Sequence, residues 1–221
     1  MKTIAVFSAF AFVLGVAQAV PTPYAHLVPR VAPGVPSAED ARSKLGNLTV
    51  AVPRSGEGYS RSKFPHWRIQ HGECNTREEV LKRDGVNVVT NAKCAATSGT
   101  WVCPYTNNTY TKSSDIDIDH MVPLKNAWIS GASNWTTERR GDFANDLQHP
   151  QLWAVKDTVN QGKSDSSPDV WQPPLESFHC TYASAWVEVK SVWSLTVTEA
   201  EKASLEKMLS TCSKPAEAEQ S

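Results

Sequence analysis

The sequence predicts an α+β domain whose short strands and helices are held together by disulfide bonds. Residues 115–119 alternate charged and apolar side chains, and residues 152–155 form a short apolar run, which indicates two strands. Residues 182–192 carry apolar side chains at helical spacing. Five cysteines without the CxxC spacing of a structural zinc site are typical of two disulfides and one leftover thiol in an oxidising compartment.

The bulk charge excludes two classes of protein. The 221-residue chain carries 22 Lys+Arg against 23 Asp+Glu, so its formal net charge is −1. Affinity built on phosphate neutralisation needs an excess of cations, so this balance excludes a polybasic nucleic-acid binder. A hydrophobic fraction of 40% with 8 tryptophans excludes an acidic disordered chain. The function is therefore expected to reside in a local site.

Residues 1–19 are predicted to be a signal peptide. Lys2 precedes an apolar run over 4–17, and the triplet ending at Ala19 has the small-x-small form of a cleavage site. A membrane span needs about 20 apolar residues, so we expect an extracellular protein without a membrane partner; a buried N-terminal helix is the alternative. Three glycan acceptor triplets agree with secretion and predict a glycoprotein; they begin at Asn47, Asn107 and Asn134.

Residues 20–36 are Pro-rich and are predicted to be an extended arm or a propeptide. One domain over 37–212 and a disordered tail over 213–221 follow. In the first half of the domain the predicted elements are a helix over 37–45 capped by Ser37, a strand over 48–52, a helix over 76–82 with a Thr76–Glu79 capping box, and strands over 86–90 and 100–102.

Two helices are predicted near the C-terminus. The first covers 182–192, and a short extended link over 195–197 leads to the second. Thr198 and Glu201 form the capping box of the second helix, which ends before Cys212. A Cys180–Cys212 bridge would tie the two helices together and would stabilise the fold by about 3–4 kcal/mol in the chain-entropy model.

The strand over 115–119 carries the first sign of chemistry. Ile116 and Ile118 would face the core, and three aspartates would share the other face. Like charges on one strand face are unfavourable unless water or a cation compensates them, so a solvated edge strand and a hard-cation site are both open. His120 follows at the strand end. After the apolar strand at 152–155, Asp157 is a predicted helix cap, and Asn160 on that helix offers an amide oxygen to a hard cation.

These residues resemble a known motif. Asp119-His120-Met121-Val122-Pro123, then Asn145, then Asn160-Gln161-Gly162-Lys163-Ser164-Asp165 resemble an HNH nuclease motif on a ββα-metal fold. The sequence is similar over about 37–212 to secreted HNH-family proteins of fungi and bacteria, which are related to the C-terminal domain of GmrSD-type restriction endonucleases. Flanking blocks extend the match, among them Gly58-Tyr59-Ser60-Arg61, Cys74-Asn75-Thr76-Arg77 and Phe143-Ala144-Asn145-Asp146-Leu147.

The resemblance implies a secreted, metal-dependent endonuclease that hydrolyses phosphodiester bonds of DNA or RNA. By position, His120 would be the general base. Asp119 and Asn160 would hold a divalent cation, Mg²⁺ or else Mn²⁺. Asn145 matches the middle residue of the motif, which holds the histidine loop. The partner implied is nucleic acid as substrate, and no stable protein partner is expected.

Three cations are candidate phosphate contacts in this scheme, namely Lys163, Arg140 and Arg77. Each also has a structural interpretation. Lys163 would lie on a solvated helix face, Arg140 would pair with a neighbouring carboxylate, and Arg77 would have no defined role.

The resemblance also implies a Cys74–Cys94 disulfide that leaves Cys103 over. A Cys94–Cys103 bridge is the rival pairing. The long connection between His120 and Asn145 departs from compact HNH domains, and its residues Trp128 and Trp135 are expected to pack rather than to stack on bases.

A second function stays open on the sequence. The near-neutral charge and the acceptor triplets also fit a catalytically inactive, secreted interaction protein on the same scaffold. His149 stands where relatives more often have an amide, and it is expected to be a surface histidine. Motifs of other secreted hydrolases, such as HExxH or GxSxG, are absent from the sequence.

Overall fold

The computed structural model describes residues 27–212; the predicted signal peptide, the first part of the arm and the predicted tail over 213–221 lie outside this range. The described chain is of the α+β class that the sequence predicts, with three small antiparallel sheets and two disulfides. The helices are α1 (Ala38–Asn47), α2 (Thr76–Asp84), α3 (Leu124–Ile129), α4 (Thr137–Ala144), α5 (Asp157–Lys163), α6 (His179–Val192) and α7 (Glu199–Ser210). The strands are β1 (Ile69–His71), β2 (Cys74–Asn75), β3 (Gly85–Thr90), β4 (Ala96–Val102), β5 (Thr109–Tyr110), β6 (Ile116–His120) and β7 (Leu152–Lys156).

In the first half of the domain, the helix caps lie at or next to the predicted residues, but one predicted strand is much shorter. Ser37 accepts a hydrogen bond from Asp40 N and starts α1. The cap of α2 is Asn75 rather than Thr76, because the Asn75 side chain accepts from Glu78 N. The predicted strand over 48–52 is reduced to a parallel bridge between Val50 and Val197, since no neighbouring strand extends the pairing.

β6 and β7 form an antiparallel pair that is buried on both faces. On one face Ile116 and Ile118 pack with Leu152 and Ala154 against α2. On the other face Asp119 lies opposite Trp153, which belongs to the main core. Asp119 is therefore only 4% exposed. The interpretation of residues 115–119 as a solvated edge strand is wrong at this end of β6. α5 follows β7 directly and contacts both strands.

The connection between His120 and Asn145 is not the long loop that the sequence predicts. It contains α3 and α4, whose apolar side chains complete the main core. Trp128 packs edge-on against Phe64, and Trp135 packs against Phe143, so both rings serve packing as expected. Thr136 caps α4 by accepting from Arg139 N. Short helices of this kind carry too few periodic positions to be seen in the sequence.

The C-terminal helices form the scaffold of the main core. α6 packs against α1 and α7, and α7 begins with the predicted Thr198–Glu201 capping box. The Cys180–Cys212 disulfide joins the first turn of α6 to the end of α7. The second disulfide joins Cys74 to Cys94 and leaves Cys103 as a buried thiol, as the resemblance implied.

The described part of the arm belongs to the folded domain. Ala32 is 3% exposed within the main core, although the domain was predicted to begin at 37. Gly34 has φ +76°, and a Cβ there would lie 3.1 Å from Gln148 O. Both the backbone conformation and the close approach require glycine.

Between residues 27 and 212, none of the helices combines the length and the apolar character that crossing a bilayer requires.

Candidate active site

His120 occupies the last position of β6 and is 4% exposed. Its Nε2 lies 3.0 Å from the carbonyl oxygen of Ala144, at the end of α4. A carbonyl can only accept, so Nε2 carries the proton and Nδ1 keeps its lone pair. Burial lowers the pKa of His120 to about 3, and the positive charge of Arg61 acts in the same direction. The imidazole is therefore a neutral acceptor over the physiological pH range.

Asn145 fixes the surroundings of this imidazole. Its Nδ2 donates to Pro65 O at 2.8 Å and to Gly141 O at 2.7 Å. Its Oδ1 accepts from Arg68 N at 2.9 Å and from Thr76 Oγ1 at 2.6 Å. These four bonds use the full capacity of an amide side chain. Asn145 thereby joins α4, α2 and the segment before β1. Because Asn145 follows Ala144 directly, these bonds also hold in place the Ala144 carbonyl that contacts His120.

The segment that Asn145 holds brings two aromatic residues beside His120. The Trp67 ring stacks on the imidazole with the centroids 5.7 Å apart and an angle of 26° between the planes. The His66 ring is 6.5 Å from His120 and nearly perpendicular to it. Trp67 has φ +59°, a left-handed conformation that a bulky residue adopts at a cost of about 1–3 kcal/mol. Neither residue was singled out from the sequence, which shows no pattern at 65–68.

Asp119 is held by two buried donors. Lys163 Nζ lies 2.8 Å from Oδ1, and the Tyr105 hydroxyl donates to Oδ2 at 2.5 Å. Burial raises the pKa of Asp119 and lowers the pKa of Lys163, while the attraction between the two charges opposes both shifts. Two donors on one carboxylate favour its ionised form. Lys163 also donates to His120 O at 2.9 Å and thus ties α5 to the end of β6.

A cavity of about 320 Å³ opens at this point of the surface. Asp119, His120 and Asn160 line it, which brings together three of the predicted site residues. Asn160 Nδ2 donates to Asp117 Oδ2 at 3.2 Å, so the amide oxygen is left as a possible ligand atom. Each oxygen of Asp119 has one donor and retains a second lone pair. The oxygen donors of Asp119 and Asn160 thus fit a hard cation such as Mg²⁺.

The three cations expected to contact phosphate are engaged elsewhere. Lys163 has an exposed fraction of 0% and serves Asp119. Arg140 donates to the carbonyls of Lys63, Ala132 and Trp135. Arg77 pairs with Glu78 at 3.0 Å and donates to the carbonyls of Ser113 and Ile116.

Arg61 is the cation that lines the cavity instead. It is exposed, and within residues 27–212 its guanidinium has no hydrogen bond or ion pair. The sequence contained one signal for it, since Arg61 ends the matched block Gly58-Tyr59-Ser60-Arg61.

His149 lines a different cavity, together with Arg68 and Trp193. Its Nδ1 lies 2.8 Å from Asp146 Oδ2, and Asp146 also accepts from Trp193 Nε1 at 2.9 Å. His149 is therefore a half-exposed structural histidine.

His71, Cys74 and Glu79 lie close enough together to suggest a metal site in the described part of the chain. Cys74 is in a disulfide, so it cannot act as a thiolate ligand.

Known proteins resemble this chain in sequence. The family model described as the C-terminal domain of GmrSD restriction endonucleases matches residues 76–208. A protein of Arthroderma benhamiae named "Uncharacterized secreted protein" is 54% identical over 200 residues, which cover 90% of this chain and 94% of that protein. No solved structure matches the chain.

Proposed function

Since the chain belongs to the family of GmrSD restriction endonuclease C-terminal domains, we propose that it is a metal-dependent endonuclease of the HNH type. The protein is secreted, in agreement with its relative. The reaction is hydrolysis of a phosphodiester bond in DNA or RNA. In this proposal β6, β7 and α5 are the ββα-metal core, because they carry His120, Asp119 and Asn160 into one cavity.

The observation that carries the proposal is the state of His120. The bond to Ala144 O fixes the tautomer and the ring is neutral, so Nδ1 carries the free lone pair that a general base needs. A general base must be neutral at the working pH and held within reach of the water that it activates. A structural histidine needs neither an open cavity nor an adjacent carboxylate with spare ligand capacity.

The other residues have supporting roles. Asp119 and Asn160 would hold a divalent cation, which would supply Lewis-acid stabilisation of charge on the scissile phosphate and the leaving oxygen. Lys163 and Tyr105 keep Asp119 in one orientation. Asn145 keeps the Ala144 carbonyl on His120, so it acts through His120 rather than on the substrate.

A digestion panel tests the proposal. Supercoiled plasmid, linear duplex, single-stranded DNA and RNA are incubated with protein in EDTA, Mg²⁺, Mn²⁺ or Ca²⁺. We expect cleavage that EDTA abolishes and that Mg²⁺ or Mn²⁺ restores. His120→Ala should lower turnover by about 10²–10⁴, the usual value of a positioned base. His71→Ala, which changes an exposed histidine, is the matched control.

A second candidate is the catalytically inactive interaction protein. One observation favours it: both oxygens of Asp119 already accept hydrogen bonds from buried protein donors. Under this candidate the purified protein degrades no nucleic acid in any divalent metal, and His120→Ala matches the wild type in the same panel.

A further inference from the structure

We propose that Arg54, Arg61, Lys63 and Lys125 form a basic strip that binds the phosphate backbone of the substrate beside the cavity. The inference rests on the proposed nuclease function and deepens it, because it assigns the substrate contacts to residues other than Lys163, Arg140 and Arg77. It also names the chemistry that is recognised, which is a polyanionic sugar-phosphate backbone rather than particular bases.

The strip follows from the path of the chain before β1. The segment over 52–63 runs along α3, since Arg54 N donates to Ile129 O at 2.8 Å at the end of that helix. Lys63 Nζ lies 5.0 Å from the centre of the ring of Trp128, the residue before Ile129. Arg61 borders the cavity together with Pro123 and Leu124, which lie at the start of α3.

The four side chains are free to bind. Arg54, Arg61, Lys63 and Lys125 are exposed in the described structure. Lys125 has a loose ion pair with Asp165 at 3.9 Å, and the charged groups of Arg54 and Arg61 have no hydrogen bond or ion pair to any residue over 27–212. Arg140, by contrast, is buried and uses its guanidinium on backbone carbonyls. Cations with internal partners stabilise the fold, and cations without them are open to an external anion.

The strip has the dimensions of a short backbone contact. A six-residue helix such as α3 is about 9 Å long, at 1.5 Å per residue. That length corresponds to two or three nucleotide steps of 3.4 Å along one strand of a duplex. In the segment over 52–63 three positive charges stand against Glu57, and Lys125 adds a fourth beside Asp165, its loose ion-pair partner. The nearly neutral total charge conceals this local excess.

A binding measurement in EDTA tests the strip without cleavage. Fluorescence anisotropy follows a labelled 20-base-pair DNA duplex, and a single-stranded RNA of the same sequence, between about 50 and 200 mM salt. The test protein is the double variant Arg61→Gln, Lys125→Gln. The control is Lys93→Gln, Lys207→Gln, which removes two exposed positive charges remote in sequence from the strip and the cavity. Circular dichroism of each variant establishes that it is folded.

Each phosphate contact contributes about −0.9 to the slope of log K against log salt on duplex DNA and about −0.7 on a single strand. We expect a wild-type slope of up to about −3.6 on duplex DNA. The test variant should lose about 1–2 units of slope and at least tenfold in affinity at the lowest salt, and the control should match the wild type. Whichever of DNA and RNA gives the larger difference is the substrate class that the strip serves.

Two other results would overturn the inference, and they are distinguishable. Equal binding by the wild type and both variants, with cleavage retained in Mg²⁺, would refute the strip and leave the nuclease function standing. Absence of both binding and cleavage on every nucleic acid would refute the strip together with the proposed function.

Discussion

Two lysines are buried near the same tryptophan, one in the candidate site and one in the helical scaffold. Lys163 Nζ lies 5.9 Å and Lys190 Nζ lies 5.8 Å from the centre of the Trp186 ring, and both have an exposed fraction of 0%. Each pairs with a buried carboxylate, at 2.8 Å to Asp119 and at 3.1 Å to Glu201. Burial lowers the pKa of both ammonium groups.

The two pairs differ in what else surrounds them. Lys190 donates to Asn126 Oδ1 and Thr196 O besides Glu201, so its three protons are all used inside the fold. Lys163 has two acceptors, Asp119 and His120 O. Its partner Asp119 borders a cavity of about 320 Å³, whereas Glu201 borders a pocket of only about 20 Å³. The Lys–carboxylate pair in the scaffold is thus enclosed by the fold, whereas the equivalent pair in the site borders a cavity that can hold an external ligand. Burial alone does not separate structure from function here.

We expect the largest loss of stability when the Lys190–Glu201 pair in the scaffold is broken. Lys190→Met leaves Glu201 buried without its cation, which costs about 3–5 kcal/mol of unfolding free energy. Urea unfolding measures the loss, and divalent metal should not reduce it. Cleavage activity per folded molecule should equal that of the wild type, because no atom of Lys190 borders the cavity. A variant as stable as the wild type would show that the pair adds nothing to the fold.

Lys163→Met should cost a similar amount in EDTA, but metal should rescue it. A divalent cation can enter the cavity of about 320 Å³ beside Asp119 and replace the lost charge, whereas the pocket at Glu201 has a volume of only about 20 Å³. At about ten times its Kd the ion adds about 1.4 kcal/mol to a folded state that binds it. We expect this gain in urea unfolding to be larger for Lys163→Met than for the wild type. Equal rescue of the Lys163 and Lys190 variants would remove the distinction between the two pairs.

The burial of His120 in the candidate site should also make the free energy of unfolding depend on pH. The unfolded chain protonates His120 near pH 6.5, and the folded chain does so near pH 3 because of burial. Between these values the unfolded state binds the extra proton, so stability falls as pH drops below 6.5, by about 1.4 kcal/mol per pH unit. His120→Gln should flatten this dependence in urea unfolding at pH 7.5 and 5.5 in EDTA. His71→Gln, at an exposed position, is the control and should keep the wild-type slope.

The smallest effect concerns the ring that covers His120. Trp67→Ala removes the stacked indole and admits water, so the pKa of His120 should rise toward its usual value in an NMR titration. Loss of one aromatic contact is worth about 0.5–1.5 kcal/mol, or up to about tenfold in turnover. Trp67→Phe should retain most of the activity. Trp135→Ala, whose ring lies against Phe143 instead, should leave the His120 titration unchanged.

The sequence predicts elements well where one local rule acts. The capping residues Ser37 and Thr198 and the alternation at 116–118 need no information from distant parts of the chain. The short helices α3 and α4 were missed because their amphipathic pattern is too brief, and their stability comes from rings such as Trp128 packing into the core.

The candidate site divides in the same way. His120, Asp119 and Asn160 stand in a matched motif, and the fold places them around one cavity. Lys163, Arg140 and Arg77 have the right charge for phosphate, but a sequence does not show which cations the fold uses internally. Trp67 and Arg61 reach the site through long-range contacts of a segment that contains one three-residue 3-10 helix (Arg61–Lys63), and no periodicity reveals such contacts.

The packed arm limits how the chain can be trimmed. Gly34 rests against the backbone at 148–150, and the next residue, Gln151, exchanges two hydrogen bonds with the backbone of Val122 at 3.1 and 3.0 Å. Val122 is two residues beyond His120. A protease that cut at the predicted domain boundary would remove Ala32 from the core and the support under this turn. Under the proposed function, we expect a cut at that point to loosen the turn after His120 and to lower cleavage activity.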